Sequence, residues 1–302
     1  LTVVRALLLA AALLAWAAAG HAASSAMRFC DSPQQLSAAQ QDRLLRFAAV
    51  VKQVLDDSGE AVALVSRTGL DLQRFGLRYS HAGVSLKASG NAPWSVRQLY
   101  YACDEHRPRL YDQGLPGFLF GNDDPVLGYV SIVLLPPAEA AALERAALDN
   151  TRALRLLAAT YSANAYPFSL RYQNCNQWVM ELLAAAWAPL QDADDLRARA
   201  QQWLGAQGYT PEPVDVGSHL LMFAAPFFPL VHLDDHPPDD RFALQLRTSL
   251  PRSIEAFVHR RLPQARRIEL CHDERQVVVR QGWQPLAEGC RAEEGDRVIA
   301  FD

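Results

Sequence analysis

The chain has 302 residues, half of them hydrophobic and 21% charged, which is ample for a buried core and excludes a disordered or low-complexity protein. Its 29 Lys and Arg against 33 Asp and Glu leave a formal net charge of −4. The cations are scattered, so nucleic acid is excluded as a natural partner.

The opening run LTVVRALLLAAALLAWAAAGHAASSA carries Arg5, an apolar stretch from Ala6 to Ala19 and small residues from Gly20 to Ala23. This pattern reads as a secretory signal peptide over residues 1–23, too short and Ala-rich for a permanent span. The expected location is periplasmic or secreted, with no stable membrane span after cleavage. Ser37 to Gln40 form a capping box, and apolar spacing through Leu44, Leu45, Phe47, Ala48, Val51, Val54 and Leu55 predicts a helix over 38–56. Four strands are expected next, at Ala61–Val65, Tyr79–Leu86, Trp94–Ala102 and Val126–Leu135, as an antiparallel meander separated by Gly, Asn and Pro turns. Asp112-Gln113-Gly114 is read as one of these turns.

Pro136-Pro137 ends the last strand and presets a helix over 138–148, with a second over 152–161. Cys175 to Trp187 has helical spacing, with Val179, Leu182, Leu183 and Ala186 as its buried stripe. Beyond Pro189 come a short helix over 195–204, a long apolar segment from His219 to Val231, and a helix over 253–262. The absence of a flexible linker makes residues 190–302 a C-terminal α/β extension packed on a first domain of residues 24–189.

Five cysteines are present, and an oxidising compartment favours pairing. Cys271 and Cys290 flank alternating apolar runs and a turn, which predicts a hairpin with a local disulfide. Cys30, before the first helix, and Cys103, at a strand end, are placed to staple the N-terminus to the sheet, although spacing does not fix connectivity. Cys175 is left over, as a reactive thiol, an intermolecular bridge or a small buried hydrophobe.

Two local patterns carry chemistry. In the strand around His81, alternation puts His81, Gly83 and Ser85 on one face, and Gly83 leaves room beside the imidazole. Asn174 is a good N-cap, which sets Cys175 at the first helical position, where unpaired N–H groups favour a thiolate and offer oxyanion donors. A thiolate nucleophile needs an imidazole and a group that holds its tautomer. Gln98, a polar residue in the row of Trp94, Val96 and Tyr100, is the expected orienter. Tyr79, Asn174 and Trp178 are the expected substrate-binding residues. His232-Leu233-Asp234-Asp235-His236 has metal-binding residue types at a spacing that fits a capped turn better, so no metal is expected, and no cofactor. His219 reads as a core histidine.

A strand reading SHxG followed much later by a helix beginning N-C resembles the circularly permuted NlpC-type papain-like proteins, including the lecithin:retinol acyltransferase-like branch. There the His-bearing strands precede the Cys-bearing helix. Residues 174–179, NCNQWV, resemble the N-C-E-H-F motif of that branch. More closely, SHAG, WSVRQL, LYDQG and YPFSLRYQNCNQW resemble a bacterial family catalogued as domain of unknown function 2145, over nearly the whole mature chain. The resemblance implies an α+β, permuted papain-like fold with an antiparallel sheet packed on helices, and Cys175 as nucleophile, His81 as base and Gln98 as orienter. Asn176 and Gln177 depart from the acyltransferase motif, and an uncharged Gln98 does not stabilise imidazolium as a carboxylate does. The expected function is an exported thiol hydrolase or acyltransferase acting on an amide or ester of a cell-envelope peptide or lipid. The alternative is a catalytically silent papain-fold binding or scaffold protein, its cleft covered by the Phe223–Phe228 run.

Overall fold

The computed structural model describes residues 36–70 and 72–301. The expected signal peptide and Cys30 lie outside them. An eight-stranded sheet forms the centre, with strands β1 (Val62–Arg67), β2 (His81–Leu86), β3 (Ser95–Ala102), β4 (Arg107–Gln113), β5 (Gly128–Leu134), β8 (Arg266–His272), β9 (Gln276–Gln281) and β10 (Arg297–Ala300). Their spatial order is β10-β9-β8-β5-β1-β2-β3-β4, and every neighbouring pair is antiparallel. A short ribbon of β6 (Glu212–Asp215) and β7 (Gln245–Thr248) stands apart.

Nine helices are present among the described residues: α1 (Ala38–Asp57), α2 (Leu115–Leu119), α3 (Pro137–Leu148), α4 (Asn150–Arg155), α5 (Cys175–Trp187), α6 (Leu196–Ala206), α7 (His219–Ala224), α8 (Pro238–Phe242) and α9 (Pro251–Arg261). The capping box predicted at Ser37 and Gln40 opens α1. The buried residues of α1 recur at helical spacing, while Leu45, one step round the helix from Leu44, is exposed.

Strand alternation divides the core. Ala63, Val65, Val96, Val130, Ile132, Leu270 and Val277 turn to α1 and α2. Val62, Leu64, Ala82, Val84, Leu86, Leu99 and Val133 turn to the layer of α3, α5, α6 and α9. Strands β1, β2 and β5 are buried along their whole length because helices cover both faces.

Two local expectations are corrected. Residues 107–113 form a strand where a turn at Asp112-Gln113-Gly114 was expected; β4 is an edge strand, and its charged, half-exposed residues hide the alternation. Residues 266–300 meet residues 24–189 through the sheet itself: β8 pairs with β5, so three strands of the extension continue the central sheet. The segment from His219 is not a continuous buried run: Met222 is buried, but Leu220, Phe223 and Phe227 are 75%, 72% and 73% exposed. His219 is itself exposed, not a core histidine. The disulfide Cys271–Cys290 is present and ties the segment after β9 back onto β8. Cys103 is disulfide-bonded, and Cys175 is the free cysteine among the described residues.

Candidate active site

Cys175 opens α5, and Asn174 caps it, its side-chain oxygen accepting from Gln177 N at 2.8 Å. The Asn174 amide also donates to Ala163 O, Thr248 Oγ1 and Ser249 O at 3.1, 3.0 and 3.2 Å. One residue thus fixes the helix start to two loops. Asn174 is buried with both polar groups engaged, which leaves it a positioning role rather than the expected substrate contact.

The start of α5 docks on the start of β2. Asn176 Nδ2 donates to Ser80 O at 3.0 Å, and the backbone N–H groups of Ala82, Asn176 and Cys175 favour the ionised form of the thiol. Ala82 is the neighbour of His81. The thiol is 6% exposed. Burial pushes its pKa up to about 11, against the Arg67 charge and those three amides.

His81 begins β2 and stands opposite Arg67 on β1. The β2–β3 ladder runs only from Val84–Arg97 to Leu86–Ser95, so His81, Ala82 and Gly83 lie past its end. A Cβ at Gly83 would come within 2.5 Å of Val96 Cγ1 and 3.2 Å of Gln98 Cβ, so the room Gly83 leaves is taken by β3. Across that gap His81 Nε2 meets Gln98 Oε1 at 2.7 Å. Gln98 Nε2 in turn donates to Gln113 Oε1 at 2.6 Å. With the amides set this way, Nε2 carries the imidazole proton and Nδ1 the lone pair. The ring stacks on Tyr100, with centroids 4.7 Å apart, and leans on Phe118 of α2. Burial, helped by the Arg67 charge and opposed by the Gln98 bond, lowers the His81 pKa to about 3. Imidazole and thiol are therefore both neutral near pH 7.

The match that decides the family covers this site. A family model described as an uncharacterized protein conserved in bacteria, DUF2145, matches residues 54–258, more than half of the chain. The chain belongs to this family. No curated protein and no solved structure matches the chain. The DUF2145 match contains Arg67, His81, Gln98, Gln113 and Cys175, and it ends before β8, β9, β10 and their disulfide.

The other expected substrate residues separate. Tyr79 lies on a groove of about 1100 Å³ whose walls include Arg78, Arg252, Glu255 and Trp283. Its hydroxyl is engaged with Glu269. None of His81, Gln98, Asn174 and Cys175 lines this groove; Tyr79 precedes His81 by two residues, and Ser249, whose carbonyl accepts from Asn174, precedes Arg252 by three. Trp178 is fully buried against α4, its indole N–H donating to Ala153 O at 3.3 Å. It packs the core and does not face the groove.

Sequence reasoning missed Gln113 and Arg67. Gln113 was hidden in an apparent turn; a Cβ at Gly117 would come within 3.0 Å of its side chain, so this glycine gives it space. Arg67 had a signal, a lone charge closing the apolar run from Val62. The segment from His232 to His236 is a clamp. His236 Nε2 meets Asn164 O at 2.7 Å and Asp235 accepts from Tyr166 N at 2.8 Å, which steadies the loop that supplies Ala163 O to Asn174. No group of His, Cys, Asp and Glu suited to a metal is found among the described residues. Among them, too, no helix is long and apolar enough to cross a membrane.

Proposed function

We propose that this DUF2145 protein is an exported thiol hydrolase or acyltransferase of permuted papain-like architecture, working through an acyl-enzyme at Cys175 on an amide or ester of a cell-envelope peptide or lipid. The observation that carries this reading is the free thiol at a capped helix start, docked by Asn176 on the strand that bears the His81–Gln98–Gln113 row of hydrogen bonds. In the reaction, Cys175 sulfur bonds to the carbonyl carbon as its proton passes to His81 Nδ1. The helix N–H groups hold the oxyanion. Collapse breaks the bond to the amine or alcohol, which takes the proton back from imidazolium, and water or an acceptor hydroxyl then releases the acyl group from the thioester. The Cys271–Cys290 bridge and the bonded Cys103 accord with an oxidising compartment.

A specific observation favours the second reading, a silent papain-fold scaffold: thiol and imidazole are only 6% and 7% exposed. Labelling of the folded protein with iodoacetamide, read by intact mass, separates the two. The hydrolase or acyltransferase reading expects one label on Cys175, formed at least about tenfold more slowly in His81→Ala. A thiol that reacts only after denaturation supports the scaffold.

A further inference from the structure

Arg67 is 4% exposed at the end of an otherwise uncharged strand. Its guanidinium donates to Thr68 O at 2.9 Å and Gly121 O at 2.5 Å, and to the Tyr100 hydroxyl. Its Nε is buried without a partner, and no carboxylate is paired with it among the described residues. Two glycines shape the space it fills: a Cβ at Gly69 would come within 2.7 Å of Nη1, and one at Gly121 would collide with Nη2. A buried cation without an anion is costly, and a fold that builds a cradle for one retains it for a reason other than stability.

The surroundings of Arg67 are those of His81. The two residues are cross-strand partners. Tyr100, which accepts from Arg67, stacks its ring on the imidazole, and Phe118 lies 5.3 Å from Arg67 Cζ while also touching His81. Resting on the Cys175–His81 reading above, we propose that Arg67 is a positioning residue, the fixed cation of the site. It stabilises the anion developing on Cys175, braces the imidazole through Tyr100, and disfavours a standing imidazolium.

Burial and the Arg67 charge disfavour imidazolium, and Gln98, an amide, adds no counter-charge to it, so the site does not rest as a thiolate–imidazolium pair. A guanidinium favours the thiolate directly and makes imidazolium a stronger acid for the leaving group. Arg67 is the first influence opposing burial at the thiol, and it adds to burial at His81. The other ionisable groups facing the pair are Tyr100 of β3, Tyr111 of β4 edge-on to Tyr100, and Tyr161 before α5, which burial keeps protonated well above its ordinary range. The segment α2 brings none, and Glu181 of α5 is held by Arg197.

The test is Cys175 alkylation in the full chain with neutral iodoacetamide and anionic iodoacetate, folding being checked by circular dichroism. For wild type, the iodoacetate-to-iodoacetamide rate ratio is expected to exceed that of free cysteine in the same buffer, a readout that needs no variant. In R67Q the iodoacetamide rate at fixed pH should fall about tenfold and the ratio should drop to the free-cysteine value, while R67K, which keeps the charge but loses the fork held by Thr68 O, Gly121 O and Tyr100, should fall less than R67Q. In a Cys175→Ser background, His81 should titrate about one pH unit higher by NMR once R67Q is added. A wild-type ratio no higher than that of free cysteine overturns the proposal. So does a folded R67Q with unchanged rate, or R67K as slow as R67Q. A folded wild type that reacts at no pH removes the nucleophile reading itself, a different failure from reaction that ignores Arg67.

Discussion

His81 couples the site to the stability of the fold. In the unfolded chain the imidazole takes a proton near its ordinary pKa of 6.5, whereas in the fold burial and Arg67 lower it to about 3. The stability contributed by the neutral ring is therefore complete above pH 6.5 and is lost as pH falls from 6.5 towards 3. At pH 4.5 the loss from this residue is roughly 2 to 3 kcal/mol. His272, lowered to about 4 by burial, adds to it over the same acid range. Urea midpoints at pH 7 and pH 4.5 should draw together in His81→Gln compared with wild type. An equal acid loss in both proteins would show that the imidazole is not held neutral. At this scale the sequence reveals the residues whose function is local: a Cys after an N-cap and a His beside a Gly both have near neighbours that explain them. It does not reveal Arg67 or Gln113 as part of the site, because their partners, Gly121 and Gln98, lie 54 and 15 positions away.

At the scale of elements, α5 is the part on which the site depends, and it is buried on every side from Cys175 to Ala185. That burial includes Glu181, whose carboxylate accepts from Gln173, Gln177, Arg197 and Gln201. Gln173 thereby holds the loop entering the Asn174 cap, and Arg197 brings α6 to the same carboxylate. Glu181→Ala leaves the Arg197 guanidinium buried and unpaired, with an expected loss of roughly 3 to 5 kcal/mol in urea unfolding. Asn174 separates two effects. Asn174→Ala removes the cap, about 1 kcal/mol, together with three donated bonds. Asn174→Asp restores the cap acceptor but places it against Ala163 O and Ser249 O, so it should remain at least about 1 kcal/mol below wild type. A near-native Asn174→Asp would mean that the cap alone matters. The bounds of α5 and α1 are legible because capping residues and apolar spacing agree there. The segment from His219 to Val231 was misread because thirteen uncharged residues carry no period that distinguishes an exposed turn of helix from a core segment.

At the scale of the whole molecule, β8, β9 and β10 continue the central sheet across the boundary expected at residue 189. The sequence shows that the last third packs on the rest, since no linker intervenes; it does not show that β8 pairs with β5, because strand pairing across more than a hundred residues leaves no local trace. The consequence is measurable in a chain ended after Leu262. That truncation removes β8, β9 and β10, baring the edge of β5, which is buried throughout Gly128–Leu134, and taking Leu270, Val277 and Val279 from the layer under α1. It also removes Glu269, the partner of Arg78 and Tyr79 just before His81. An open apolar strand edge pairs with other chains, so the truncated protein should be insoluble or melt without a cooperative transition. In contrast, Phe223→Ser with Phe227→Ser alters only side chains already in water and should shift stability by no more than about 1 kcal/mol. A soluble, cooperatively melting truncation would support the two-part division and make the Glu269 contacts dispensable for positioning His81.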